Sequence, residues 1–133
     1  MIVSIKGTFI LFLPCNSSYM CYKKFQLIVL EDAKTFLGSL PKEARKKIIY
    51  NIERVQGGIM DSQLFKKLES SNIWEFRTLY RGIAYRLFAF WDTETETLVV
   101  ATHGIVKKTQ KTPSKEIIKA EKIRVKYFEE RKK

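Results

Sequence analysis

Residues 74–90 read "WEFRTLYRGIAYRLFAF". The run divides at Arg81-Gly82 into two stretches rich in aromatic and other strand-favouring residues. Gly accepts positive φ, so a two-residue loop at this pair joins the stretches as an antiparallel hairpin. With Tyr80 facing Ile83, alternation sends Trp74, Phe76, Thr78 and Tyr80 to one side, together with Ile83, Tyr85, Leu87 and Ala89. That side is apolar enough to take helices. The other side carries Glu75, Arg77, Leu79, Ala84, Arg86 and Phe88, with Arg77 directly opposite Arg86. Like charges in that relation destabilise a strand pair. Two explanations stay open. Glu75 and another acid neutralise the arginines as a structural cluster, or a phosphate comes between them, since guanidinium groups hold phosphate oxygens bidentately.

Outward from the hairpin, the pattern predicts an α+β fold with helices against a sheet. Phe25 to Leu30 is an apolar run that reads as a first strand. Glu31 to Leu37 reads as a short helix stopped at Gly38. "PKEARKKIIYNIERVQ" (41–56) reads as a second helix with Pro41 in its first turn. Its stripe of Ala44, Ile48, Ile52 and Val55 recurs at helical spacing, and Gly57-Gly58 ends it. The polar stretch containing "LFKKLESSN" leads to the hairpin. "DTETET" (92–97) reads as a turn, Leu98 to Val106 as the last strand, and Thr112-Pro113 as the start of a final helix running to about Glu130.

At 133 residues the chain is one domain's length, with apolar content of 45% that supports a real core. It carries 25 basic and 14 acidic residues, a formal +11. The segment from Lys107 to Lys133 holds eleven Lys or Arg against four Glu, so +7 of that surplus lies there. A charge of this size fits a polyanionic partner, nucleic acid above all. Cys15 and Cys21 are too few for a disulfide scaffold, and with the single His103 they make no zinc pattern. No metal or cofactor is expected. No apolar run has the length of a membrane span. "TFILFLP" (8–14) follows a lysine as a signal peptide would, but it is short and no small-residue cleavage site follows. Residues 1–19 are read instead as an extension, either from an upstream start codon or packed loosely on a domain spanning 20–133.

"HGIVKKTQKTP" (103–113) brings lysines to the end of the last strand, near the start of the final helix. Helix N-termini favour anions, so Lys107, Lys108 and Lys111 read as a phosphate rim, or else as a solvated basic loop. His103 suits acid–base chemistry by its ordinary pKa, although a lone strand histidine is commonly structural.

Four motifs now stand in order: a W-E-[LF]-R strand, a Tyr-Arg strand, an H-G-[FI]-x-K-K-T strand end and a T-P-x-x-E-I helix start. In this arrangement the chain, from about Tyr22 to Lys133, resembles the RelE/ParE/HigB superfamily of bacterial toxins, nearest its phage-derived, HigB-like branch. The resemblance implies the small α+β toxin fold of that superfamily. It implies a type II toxin that cuts messenger RNA on the ribosome without a metal, held inactive by a helix-turn-helix antitoxin, in the cytoplasm. The family's basic residues carry over as Arg77, Arg86, Lys107 and Lys108, and less closely as Lys67 and Arg81. Arg77 and Arg86 would clamp the reacting phosphate, with His103 or Glu75 as proton-handling candidates and Tyr85 or Tyr127 as hydroxyl donors. Two other readings compete: a ParE-like toxin acting on a topoisomerase, and an inactive relative that only binds nucleic acid or its antitoxin.

Overall fold

The structure, a computed structural model, describes residues 2–5, 8–12, 24–94, 98–107 and 111–131. At the hairpin, Arg81 and Gly82 take φ of 50° and 77°. Two successive positive φ values give the primed turn whose twist matches the flanking strands. The strands it joins are Trp74–Tyr80 and Ile83–Trp91, paired with Tyr80 opposite Ile83 and Arg77 opposite Arg86. The sequence register holds.

In chain order the elements are β1 (Ile2–Ile5), β2 (Thr8–Phe12), β3 (Gln26–Val29), α1 (Glu31–Ser39), α2 (Lys42–Gln56), β4 (Phe65–Lys67), β5 (Trp74–Tyr80), β6 (Ile83–Trp91), β7 (Leu98–Lys107) and α3 (Ser114–Arg131). The sheet runs β1-β2-β3-β7-β6-β5-β4. All neighbours are antiparallel except β3 and β7. From Gln26 onward this is a five-strand, mostly antiparallel α+β fold with three helices, consistent with a small RelE-like fold. The β1–β2 hairpin, within the segment read as an extension, pairs β2 with β3 through Leu11–Val29 and Phe12–Ile28. The boundary at Met20 lies outside the described residues, as do Cys15, Cys21 and part of the 92–97 turn.

Helices cover both faces of the sheet. α1 and α2 bury Ala33, Leu37, Ala44, Ile48, Ile52 and Val55 against Leu27, Val29, Phe76, Tyr85, Leu87, Val99 and Ala101. On the other face α3 brings Ala120, Ile117, Ile123, Tyr127 and Phe128 to Ile28, Ile73, Phe88, Phe90 and Val100. β3 is therefore apolar on both sides, as a strand covered twice must be. Each fully buried aliphatic or aromatic side chain contributes about 1.5–3 kcal/mol by leaving water.

Three local expectations need correction, and the last strand carries a β-bulge that the sequence did not announce. α1 runs through Gly38 to Ser39, because Gly weakens a helix without ending it, and the chain turns extended only at Leu40 before Pro41. The polar stretch before the hairpin contains β4, whose two lysines hide a three-residue edge strand. β6 and β7 pair Phe88 with His103 but Ala89 with Ala101, so Thr102 is the extra residue of a β-bulge. The bulge shifts the alternation: Val99 and Ala101 face α1 and α2, whereas His103 and Lys107 share the opposite face with Phe88 and Arg86. Finally, α3 begins at Ser114, and the Thr112 hydroxyl turns to Glu75 instead of serving the helix end.

Gly104 has a clear packing reason. A Cβ there would overlap the Phe36 ring, so the glycine lets α1 lie directly on β7. At its far end α3 is fastened by Asp92, a fully buried carboxylate. Asp92 accepts from the Tyr127 hydroxyl at 2.9 Å and from the Arg131 guanidinium, and its other oxygen accepts from the Glu94 N–H at 2.9 Å. Burial first, then Asp92, pushes the Tyr127 hydroxyl up to about 12.

Candidate functional site

Strand alternation puts Glu75 and Arg77 on one face of β5, and pairing puts Arg86 beside Arg77 on β6. The bulge in β7 delivers Lys107 to the same face, opposite Ala84. The Glu75 carboxylate stands between the arginines: its Oε1 is 3.4 Å from Arg77 Nε and 3.3 Å from Arg86 Nε. Neither Nε–H points at it well enough to form a hydrogen bond, so both contacts are charge pairs by proximity. The terminal nitrogens go elsewhere, Arg77 Nη1 to the Ser62 carbonyl at 3.3 Å and Arg86 Nη1 to the Tyr85 carbonyl at 3.1 Å. Glu75 Oε2 accepts from the Thr112 hydroxyl at 2.8 Å, and Thr112 Oγ1 in turn accepts from Lys107 Nζ at 3.4 Å.

This arrangement realises part of the structural-cluster explanation, since one carboxylate does separate the arginines. It does not neutralise them. Arg77 and Arg86 share one Glu75, and Lys107 reaches the same carboxylate through Thr112. The side chains of Glu75 and Arg86 are 3% and 8% exposed, and that of Arg77 is 18% exposed. Burial lowers the Arg86 pKa, with Glu75 opposing and Arg77 adding to the effect. Burial likewise lowers the Lys107 pKa, and Arg86, Arg77 and Lys66 lower it further against the pull of Glu75. Both groups are thus held charged at a cost in the free protein, a condition an added anion relieves.

His103 is not brought into this cluster. In the cross-strand row Phe88 stands between Glu75 and His103. Two strand spacings put their backbones about 10 Å apart. The imidazole lies against the Phe88 ring, with Nδ1 3.0 Å from Thr102 Oγ1 and Nε2 3.4 Å from Glu116 Oε2 on α3. Burial chiefly, then Lys119, lowers its pKa, while Glu116 and Asp32 oppose. Its charged neighbours are those of α3 and α1.

The remaining basic candidates are dispersed. Lys67 pairs with Trp74 and so takes the face away from Glu75; it is Lys66, opposite Glu75, that shares the cluster's face. Sequence reasoning missed Lys66 because only the β4–β5 register tells the two lysines apart. Arg81 sits at the hairpin tip, its guanidinium 5.3 Å from the Tyr80 ring centre. Lys111 is exposed just before α3, and Lys108 lies outside the described residues. Thr112 was read as a helix cap, and no signal in the sequence ties it to Glu75, 37 residues earlier.

Among the described residues no helix is long and apolar enough to cross a membrane. No curated protein matches the chain. A family model described as phage-derived protein Gp49-like matches residues 35–125, a span that includes Arg77, Arg86, Lys107 and the other basic candidates from Lys66 to Lys111. The chain belongs to this Gp49-like family, a RelE/toxin-like family associated with the toxins of toxin–antitoxin systems, for which an antitoxin is the general partner.

Proposed function

We propose that this chain is a HigB-like toxin that cleaves messenger RNA on the ribosome and is restrained by a helix-turn-helix antitoxin. The observation that carries the reading is the Arg77–Arg86–Lys107 cluster around Glu75, a net positive, largely buried site on a sheet face. A structural ion pair needs one cation for each carboxylate, whereas here Arg77 and Arg86 share the single Glu75 carboxylate. A phosphodiester would bring a second anion to the shared arginines, and two guanidinium groups with a lysine are suited to charge growing on its oxygens.

In metal-free cleavage the 2′-oxygen bonds to phosphorus and the bond from phosphorus to the 5′-oxygen breaks. The 2′-hydroxyl gives up a proton and the departing 5′-oxygen takes one, leaving a 2′,3′-cyclic phosphate and a 5′-hydroxyl. Arg77 and Arg86 hold the phosphate. Glu75 is the carboxylate at hand to accept a proton, and Lys107, its pKa lowered, is the cluster's better donor. His103 is assigned to holding α3, because Glu116 and Thr102 are its neighbours. A site with such modest acid–base equipment gains most from a substrate already aligned, which is what a ribosome-bound message offers.

The test is to induce the gene without its neighbours and map message ends by primer extension. Growth arrest with new 5′ ends inside translated regions is expected. Intact messages together with trapped DNA–topoisomerase complexes would replace this reading with the ParE-like one.

A further inference from the structure

α2 presents a second feature, on the other side of the sheet. Its inner stripe is buried, and Asn51 Nδ2 donates to Thr78 Oγ1 at 3.2 Å from that side. Thr78 and Arg77 are neighbours on β5 and so face opposite ways. The outward face of α2 therefore points away from the Arg77–Arg86–Lys107 cluster.

The centre of that outward face is Tyr50, a large aromatic left 55% exposed. Lys47 Nζ lies 5.2 Å and the Arg54 guanidinium carbon 5.7 Å from its ring centre. Lys42, Glu43 and Lys46 lie on the same exposed arc, with Glu53 half-buried at its edge, so four cations outnumber two acids around Tyr50. Such a tyrosine adds little to the core, and no other large apolar side chain is exposed on α2. A protein-docking patch would centre on several apolar residues. One aromatic beside two cations, on a face where cations outnumber acids, is instead the arrangement that meets phosphates and a base together.

We propose that the outward face of α2, built on Tyr50 with Lys46, Lys47 and Arg54 around it, docks a structured RNA. The cations meet backbone phosphates and the tyrosine ring stacks on an unpaired base. This surface requires no cleavage by the chain, so it stands or falls apart from the reading of the arginine cluster.

The experiment measures binding of a fluorescent RNA stem-loop to the full chain over a range of salt. Tyr50→Ala is expected to weaken binding about ten-fold, within the range of lost aromatic stacking, while Tyr50→Phe keeps it. Lys47→Gln is expected to lower the salt slope by about one. All three variants should keep the parent's urea midpoint, since Tyr50 and Lys47 face solvent. The Tyr50→Ala loss should recur in an Arg86→Ala background, because sites on opposite faces add independently. Unchanged affinity in Tyr50→Ala and Lys47→Gln overturns the proposal. Equally tight, Tyr50-dependent binding of polyglutamate also overturns it, and assigns the surface to an acidic protein.

Discussion

Replacing Glu75 by Gln tests the electrostatics of the cluster without changing its shape. The side chain is 3% exposed, and its Oε1 lies 3.4 and 3.3 Å from two guanidinium nitrogens. At an effective dielectric constant near 20, each contact is worth about 5 kcal/mol of gross attraction. Desolvating the carboxylate costs several kcal/mol in return, so the net loss on breaking such a buried arrangement is about 3–5 kcal/mol. The amide can still accept from Thr112, which favours the lower end, so we expect about 3 kcal/mol. That corresponds to a loss of about 1.5 M in urea midpoint for a slope near 2 kcal/mol per molar. Urea unfolding followed by circular dichroism reads it directly. Inorganic phosphate should restore part of the midpoint in Glu75→Gln and much less in the parent, because only the variant lacks its internal anion. A midpoint within about 0.3 M of the parent, unaffected by phosphate, would refute the view that Glu75 is the counter-ion of an over-charged site.

Three further expectations follow from the fold. Gly104→Ala forces a methyl group into the Phe36 ring and should cost about 1–3 kcal/mol in urea, and an unchanged midpoint would refute the close approach of α1 to β7. His103 has its pKa lowered by burial, so the unfolded chain binds its proton first. Its stability contribution should be whole above the unfolded value of about 6.5 and fall as pH drops below it. Urea midpoints against pH should flatten in this window in His103→Gln, and a parent-like slope there would exclude the residue. We propose that residues 20–133 form the folding unit, so a chain beginning at Met20 should still melt cooperatively; among the described residues β2 meets β3 at two paired positions, and loss of the cooperative transition would make the N-terminal hairpin part of the core.

The hairpin was legible because its signal is local. A Gly in a two-residue turn and strict alternation fix the pairing of Arg77 with Arg86, and both are contained in seventeen residues. The α2 stripe was legible for the same reason, and its buried positions Ala44, Ile48, Ile52 and Val55 follow the helical period. β4 was hidden because a three-residue edge strand bearing two lysines has no alternation to read. The face taken by His103 could not be read because one extra residue, Thr102, reverses the phase of β7. The same bulge carries Lys107 round to the face of Arg86, a placement for which the motif gives no physical reason. Glu75 was recognised as a partner of the arginines, but its tie to Thr112 depends on where α3 lies, a long-range property that no short stretch encodes.

The most direct test is single-turnover cleavage of a message on programmed ribosomes by the purified chain and by Arg86→Ala, with the urea midpoint of both proteins measured alongside. Arg86 carries a charge that its surroundings disfavour, and Glu75 keeps Arg77 and Thr112 after its removal. The account predicts cuts ending in 2′,3′-cyclic phosphate for the parent. For Arg86→Ala it predicts a cleavage rate at least about a hundred-fold lower, the scale of losing one preorganised charge at a reacting phosphate, with stability within about 1 kcal/mol of the parent. A variant that cleaves like the parent but unfolds several kcal/mol sooner would contradict it and return the arginines to the scaffold.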